Sequence, residues 1–177
     1  MATTAQNNFW KGVLAGSYEL PLSLDNNTAH NVNAGDLVFM DQGGTINGVK
    51  YVLGKITTDA QAASSVGVTQ TSNPINSIST NSPVSSTFPV PAFAVVNFNS
   101  IFKFNSTSGD TYNWLDQLYI GADSQTLTNQ SATNKLGVIH FPPSDTNGNV
   151  ITPPVAGGTG VIIYAAVKPL LTTIGIL

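Results

Sequence analysis

A rhythm of two residues constrains this chain more than any other feature. In Val-Val-Asn-Phe-Asn-Ser-Ile-Phe-Lys-Phe-Asn, residues 95–105, Val96, Phe98, Phe102 and Phe104 fall on one face, and Asn97, Asn99, Lys103 and Asn105 on the other. That alternation fits a strand with one face toward a core and the other toward water, and it weakens at Ser100 and Ile101. Further strands are expected over 36–40, 49–55, 65–69, 117–120, 136–141 and 160–167, where β-branched and aromatic residues cluster between Gly, Asn and Pro. Gly43-Gly44, Asn47-Gly48, Gly109-Asp110 and Asn147-Gly148 supply the turns. One short helix is expected in Thr-Thr-Asp-Ala-Gln-Ala-Ala-Ser-Ser, capped by Thr58 or Asp59. The fold class is therefore all-β, a small antiparallel barrel or sandwich with long loops and an extended N-terminal arm.

The 177 residues fit one domain with an arm, and no second enzyme-sized domain. We expect an N-terminal arm over 1–16 and a single β domain over 17–177. Charged residues are only 8% of the chain while hydrophobic residues reach 41%, so solubility rests on Ser, Thr, Asn and Gln. A net charge of −3, with all six basic residues Lys, leaves no cationic surface for nucleic acid. Without cysteine neither disulfides nor thiolate metal sites are available. The N-terminus lacks the basic start and unbroken apolar core of a signal peptide, which places first folding in a cytoplasm. The apolar C-terminal stretch is broken by Lys168-Pro169 into runs too short for a membrane helix, so no membrane partner is expected.

Residues 70–91 are rich in Ser, Asn and Pro and carry too little apolar periodicity to pack as an element; they read as a long exposed loop or arm. Residues 142–154 place prolines on both sides of a Gly-containing tip, the pattern of a protruding hairpin.

One phrase occurs twice. Gly35-Asp36 opens an apolar run that ends in Asp41-Gln42 and leads to Gly67-Val68; Gly109-Asp110 opens a run that ends in Asp116-Gln117 and leads to Gly137-Val138. The glycines permit a tight entry, and Asp36 and Asp110 can accept backbone N–H bonds there. The second copy, Gly-Asp-Thr-Tyr-Asn-Trp-Leu-Asp-Gln-Leu-Tyr-Ile-Gly-Ala-Asp-Ser-Gln-Thr-Leu-Thr-Asn through Leu-Gly-Val at 136–138, resembles the capsid decoration, or cement, proteins of tailed phages, with a weaker match at 35–68. Trp114 and Leu115 and the long 70–91 segment depart from that pattern. The resemblance implies a small β-barrel that binds the major capsid protein on the outside of a virion, clusters as a homo-trimer and needs no cofactor.

Reactive chemistry is sparse. His30 sits in a polar run that reads as a loop, His140 ends a strand, and no spacing joins them to a metal or general-base partner. Asp36, Asp41, Asp110, Asp116 and Asp123 lie near turns or strand ends, where capping explains them, and no nucleophile-base set accompanies them. Residues 145–149, Asp-Thr-Asn-Gly-Asn, lack the later Glu of a calcium loop, and 155–160, Val-Ala-Gly-Gly-Thr-Gly, lacks the Lys of a phosphate loop. No enzyme is expected. Candidate partner contacts are Phe9, Trp10 and Val13 near the N-terminus, Phe88 in the long loop, and Trp114. A tail, fibre or minor head protein is an alternative, as is a carbohydrate-binding module using Trp10, Trp114, Tyr112 and Tyr119 with the abundant amides.

Overall fold

In the computed structural model the described residues are 16–21, 28–41, 52–70 and 93–168. The alternating and β-branched segments form β1 (Gly16–Pro21), β2 (Leu37–Asp41), β3 (Val52–Lys55), β4 (Ser65–Thr69), β5 (Phe93–Phe98), β6 (Ser100–Ser106), β7 (Thr111–Tyr112), β8 (Gln117–Ile120), β9 (Thr126–Thr128), β10 (Gly137–Asp145), β11 (Val155–Ala156) and β12 (Val161–Val167). The short helix is α1 (Asp59–Ala62); Thr58 is its N-cap, and a capping box with Gln61 satisfies the first backbone donors. The all-β expectation holds. The expected arm before Gly16, the turns at 43–48, the loop after Gln70 and the tail beyond Lys168 lie outside the described residues, as do Phe9, Trp10, Val13 and Phe88.

Two sheets carry the fold. β1-β5-β4-β2-β3 is a five-stranded antiparallel sheet, and β6-β12-β10-β8-β9 closes into a barrel. The barrel is not wholly antiparallel: β6 and β9 pair parallel, Asn105 opposite Thr126 and Ser106 opposite Leu127. With five strands in a ring, directions cannot alternate all the way round, so one parallel pair is unavoidable.

The two sheets are successive copies of one unit. Strand order matches, β1 with β6, β5 with β12, β4 with β10, β2 with β8 and β3 with β9, and so does register. Val38 lies opposite Gly67 and Leu37 opposite Val68, just as Leu118 lies opposite Gly137 and Gln117 opposite Val138. Val68 faces Asn97 and Val138 faces Ala166; Asn97 faces Ser17 and Ala166 faces Ile101. Gly67 and Gly137 are required for one shared reason. A Cβ would stand 2.2 Å from the Asn97 carbonyl oxygen in the first copy and 2.4 Å from that of Ala166 in the second, far inside contact distance.

The first copy stays open among the described residues. β1 and β3 lie at opposite ends of its sheet yet near each other. In the barrel, closure uses the Asn105 N–H, which donates to the Gln125 carbonyl at 2.9 Å. By register the matching residue is Pro21, which has no N–H to give.

Residues 95–105 are two strands rather than one. Asn99, at φ 52°, turns the chain from β5 into β6, a left-handed conformation that Asn tolerates better than most residues. Its N–H donates to the Val167 carbonyl at 3.0 Å. The weakened alternation at Ser100 and Ile101 marks this joint. Asn97, expected on a wet face, is buried because it lies opposite Val68, a residue of the core shared with the barrel.

Two cores result. Val38, Met40, Leu53, Val66, Ala94 and Val96 fill the inside of the first copy, with Leu20 packed against them. Leu37, Phe39, Ile56, Ala62 and Val68 join the barrel residues Phe102, Leu118, Leu127 and Ile163 in the other. β2 is thus buried on both faces, which explains why Leu-Val-Phe-Met is a continuous apolar run. Each such side chain contributes on the order of 1.5–3 kcal/mol by burial.

Candidate interaction site

A repeated turn delivers the chain into the central strand of each copy. In the first, Asp36 Oδ2 accepts from the Asn33 N–H at 2.7 Å, and the Asp36 N–H donates to the Asn33 carbonyl at 3.0 Å. In the second, Asp116 Oδ2 accepts from the Asn113 N–H at 2.7 Å, and the Asp116 N–H donates back to the Asn113 carbonyl at 3.4 Å. The Asp36 carbonyl then accepts from Thr69 and the Asp116 carbonyl from Ile139, both at 3.0 Å. Structurally, therefore, Asp36 corresponds to Asp116, whereas the sequence phrase pairs it with Asp110.

That correction has a physical cause. The third residue of this turn needs a positive φ, which Gly35 supplies at 99° and which Leu115 adopts at 65°. Glycine is the usual occupant, so a reader of the sequence aligns Gly35 with Gly109, itself the tip of a third turn at φ 91°. A leucine in the left-handed region costs roughly 1–2 kcal/mol.

The tips of the two corresponding turns differ sharply. Ala34 and Gly35 form the first; Trp114, 51% exposed, and Leu115, 59% exposed, form the second. The second turn is braced from below, since the Asn129 side-chain amide donates to Asp116 Oδ2 at 3.0 Å and to the Thr111 carbonyl at 2.7 Å. Trp114 and Leu115 thus sit on a rigid support with their apolar surface in water. Of the candidate contacts, Trp114 is the one the described residues contain; an isolated Leu such as Leu115 gives no signal in a sequence, since its distinguishing feature is its backbone angle.

The other polar groups are engaged in holding turns. Asp110 is buried; it accepts from Thr128 Oγ1, from the Asn129 N–H at 3.3 Å and from Gln130 Nε2 at 3.1 Å. The Tyr112 hydroxyl accepts from the Thr107 N–H at 2.8 Å and donates to the Leu127 carbonyl at 2.7 Å, with Asp110 Oδ2 3.2 Å away. Burial, reinforced by the charge of Asp110, pushes Tyr112 up to about 12. Asp123 holds the Gln125 N–H at 2.9 Å. At the tip of the expected hairpin Asp145 accepts from the Asn149 side-chain amide and from the Asn149 and Asn147 N–H groups, all at 2.8 Å, and these bonds, the Asn149 side chain first, hold its carboxyl below the ordinary value. The expected turn roles of Asp36, Asp116 and Asp123 are seen directly, whereas Asp110 reaches across to residues 128–130 and Asp41 pairs with His30.

The histidines are placed differently from a sequence reading. His30 is buried at the end of a 3-10 turn rather than in a loop, and its Nε2 lies 3.0 Å from Asp41 Oδ2, pinning that turn to the end of β2. His140 stands edge-on to Phe141, whose ring meets Tyr164 in the same way. Tyr112 and Tyr119, proposed as part of an aromatic glycan platform, are both buried. Tyr119 lies on the barrel strand β8, and Tyr112, on β7 in a separate two-stranded sheet with β11, reaches into the barrel core.

An open cleft of about 540 Å³ lies at one end of the barrel, lined by Asn105, Ser106, Thr107, Thr126, Gly158 and their neighbours. Its lining is neutral, and Ser106 Oγ is already bonded to the Gly158 N–H at 3.0 Å. Among the described residues no group of three His, Cys, Asp or Glu side chains is arranged to hold a metal, and no helix is long and apolar enough to cross a membrane. In comparisons with known proteins, no family model, no curated protein and no solved structure matches the chain.

Proposed function

We propose that this chain is a structural, adhesive protein of a phage particle, seated on the outside of an assembled capsid and bridging subunits of the major capsid protein. The observation that carries this reading is the division of labour among its side chains. Buried and half-buried carboxylates are occupied with backbone N–H groups and neutral side chains, while large apolar residues stand out on a braced turn. A surface of this kind recognises by shape and apolar contact. The sequence resemblance to decoration proteins gives that adhesion its partner, and by the same resemblance copies act as trimers on the virion exterior. Several weak contacts made together then give near-permanent attachment.

Low charge suits such a role, because neutral contacts persist at ionic strengths that screen ion pairs. The test is co-sedimentation of the purified protein with DNA-free, expanded phage heads. Saturable retention that is equal at low and high salt is expected. Retention that collapses as salt rises, or absence from every shell combined with binding on a glycan array, would reject this reading in favour of the carbohydrate-binding one.

A further inference from the structure

We infer that the turn bearing Trp114 and Leu115 is a docking site for a second copy of this chain, which meets it through its first half. The template for that contact exists inside one molecule. The connection between β8 and β9 of the second half is seated on the first half's turn: the Leu37 N–H donates to the Ser124 carbonyl at 2.9 Å, and Ser124 Oγ and Gln125 Nε2 donate to Asp36 Oδ1 at 2.9 and 2.8 Å. A Cβ on Gly35 would lie 3.9 Å from Gln125 Nε2, so position 35 faces that connection.

The equivalent turn in the second half has no such cover. Asp116 Oδ2 is occupied as Asp36 Oδ2 is, but Asp116 Oδ1, the counterpart of the oxygen that receives Ser124 and Gln125, accepts nothing among the described residues. Leu115 stands where Gly35 stands, and it and Trp114 are open to solvent. The contact runs from a turn of one half to a different surface of the other. It is heterologous, so each molecule satisfies it once internally and leaves one turn unmatched. The natural complement of that turn is the half that follows it in a neighbouring copy.

The residue change at the tip supports this assignment. Inside a chain the two halves are tethered, and a few hydrogen bonds between an Ala-Gly turn and its neighbour suffice. Between separate molecules the same geometry must also overcome lost translational and rotational freedom. Interfaces do this with buried aromatic anchors, Trp foremost. Replacing Ala-Gly by Trp-Leu at the untethered copy of the turn adds such an anchor, and Leu115 is kept there against its backbone preference. The inference rests on the adhesive reading of this same turn and assigns its partner as another copy of the chain, so attachment to a shell falls to other surfaces of the assembled copies.

Sedimentation of the full chain in buffer without shells tests self-association. A mass at least twice that of the 18.5 kDa chain is expected, falling to the monomer in the double variant Trp114→Ser, Leu115→Gly. Leu115→Gly alone relaxes the positive φ, so its melting temperature is expected to rise while association weakens at least tenfold; a purely structural role for Leu115 would not separate these two effects. A photo-crosslinking residue at position 114 is expected to attach to residues 16–98 of another copy. A monomer at all concentrations, a variant that assembles like the parent, or cross-links confined to the second half of the neighbour would overturn the inference.

Discussion

Asp36 and Asp116 anchor the same turn in the two halves, yet Asp36 is buried beneath Ser124 and Gln125 while Asp116 is only partly covered below an exposed Trp-Leu tip. The contrast separates what the fold requires from what it merely permits. Both halves keep the Asn N–H to Asp bond and the glycine that clears the neighbouring carbonyl, so these belong to the architecture. The halves diverge at the tip and at the Pro21 and Asn105 positions. The barrel closes through the Asn105 and Thr107 N–H groups, whereas among the described residues Pro21 gives the first half no N–H at the place of Asn105.

The equivalence is most severely tested at its glycines. Gly67→Ala and Gly137→Ala should each lower stability by about 3 kcal/mol, since neither carbonyl can retreat without disturbing its ladder; urea unfolding measures both. A tolerated Gly137→Ala would break the match between the ladders. Alkaline pH should act on the second half through Tyr112. Its folded value, about 12, exceeds the ordinary 10.0, so the folded state holds the phenolic proton more tightly. The resulting stability, up to about 3 kcal/mol, is complete below pH 10 and is lost as pH rises through 12. Melting curves across that window should show the loss, and Tyr112→Phe should abolish its pH dependence.

Smaller changes sharpen the contrast between the turns. Asp36→Ala strands the Asn33 N–H and the Ser124 and Gln125 donors and should cost about 2 kcal/mol, whereas Asp116→Ala, in a wetter site, should cost about 1 kcal/mol. Equal losses in thermal unfolding would mean that the cover over Asp36 contributes nothing. Smallest of all, Pro21→Asn restores the missing donor and should add roughly 0.5–1 kcal/mol. Hydrogen exchange would then show a protected amide at position 21; a fast-exchanging amide there would assign the openness to some other cause.

Much of the fold is legible in residue patterns. Strands at 65–69 and 117–120 coincide with β4 and β8, and the capped helix begins after Thr58 as its sequence indicates. These succeed because period, β-branching and caps are local properties. β10 runs beyond the expected end at Phe141 to Asp145, through Pro142 and Pro143, because register shifts accommodate residues that offer no ladder donors. The duplication was visible only as an echo. Asn33 and Asn113, Asp36 and Asp116, Leu53 and Leu127, Gly67 and Gly137, and Val68 and Val138 are identical by register, but insertions of different length separate them. Trp114 could be singled out as a large aromatic in a turn; Leu115 could not, because its distinguishing feature is a backbone angle.

The joint between the halves is a single residue, Asn99, whose N–H is already tied to the end of β12. Intertwined dimers, in which neighbouring molecules trade equivalent halves, would require Asn99 to leave its left-handed conformation and join β5 and β6 into one strand. That straightening would break its bond to Val167 and pull apart the start of β6 and the end of β12. A single amide thus serves as the latch that keeps the two halves of each molecule together.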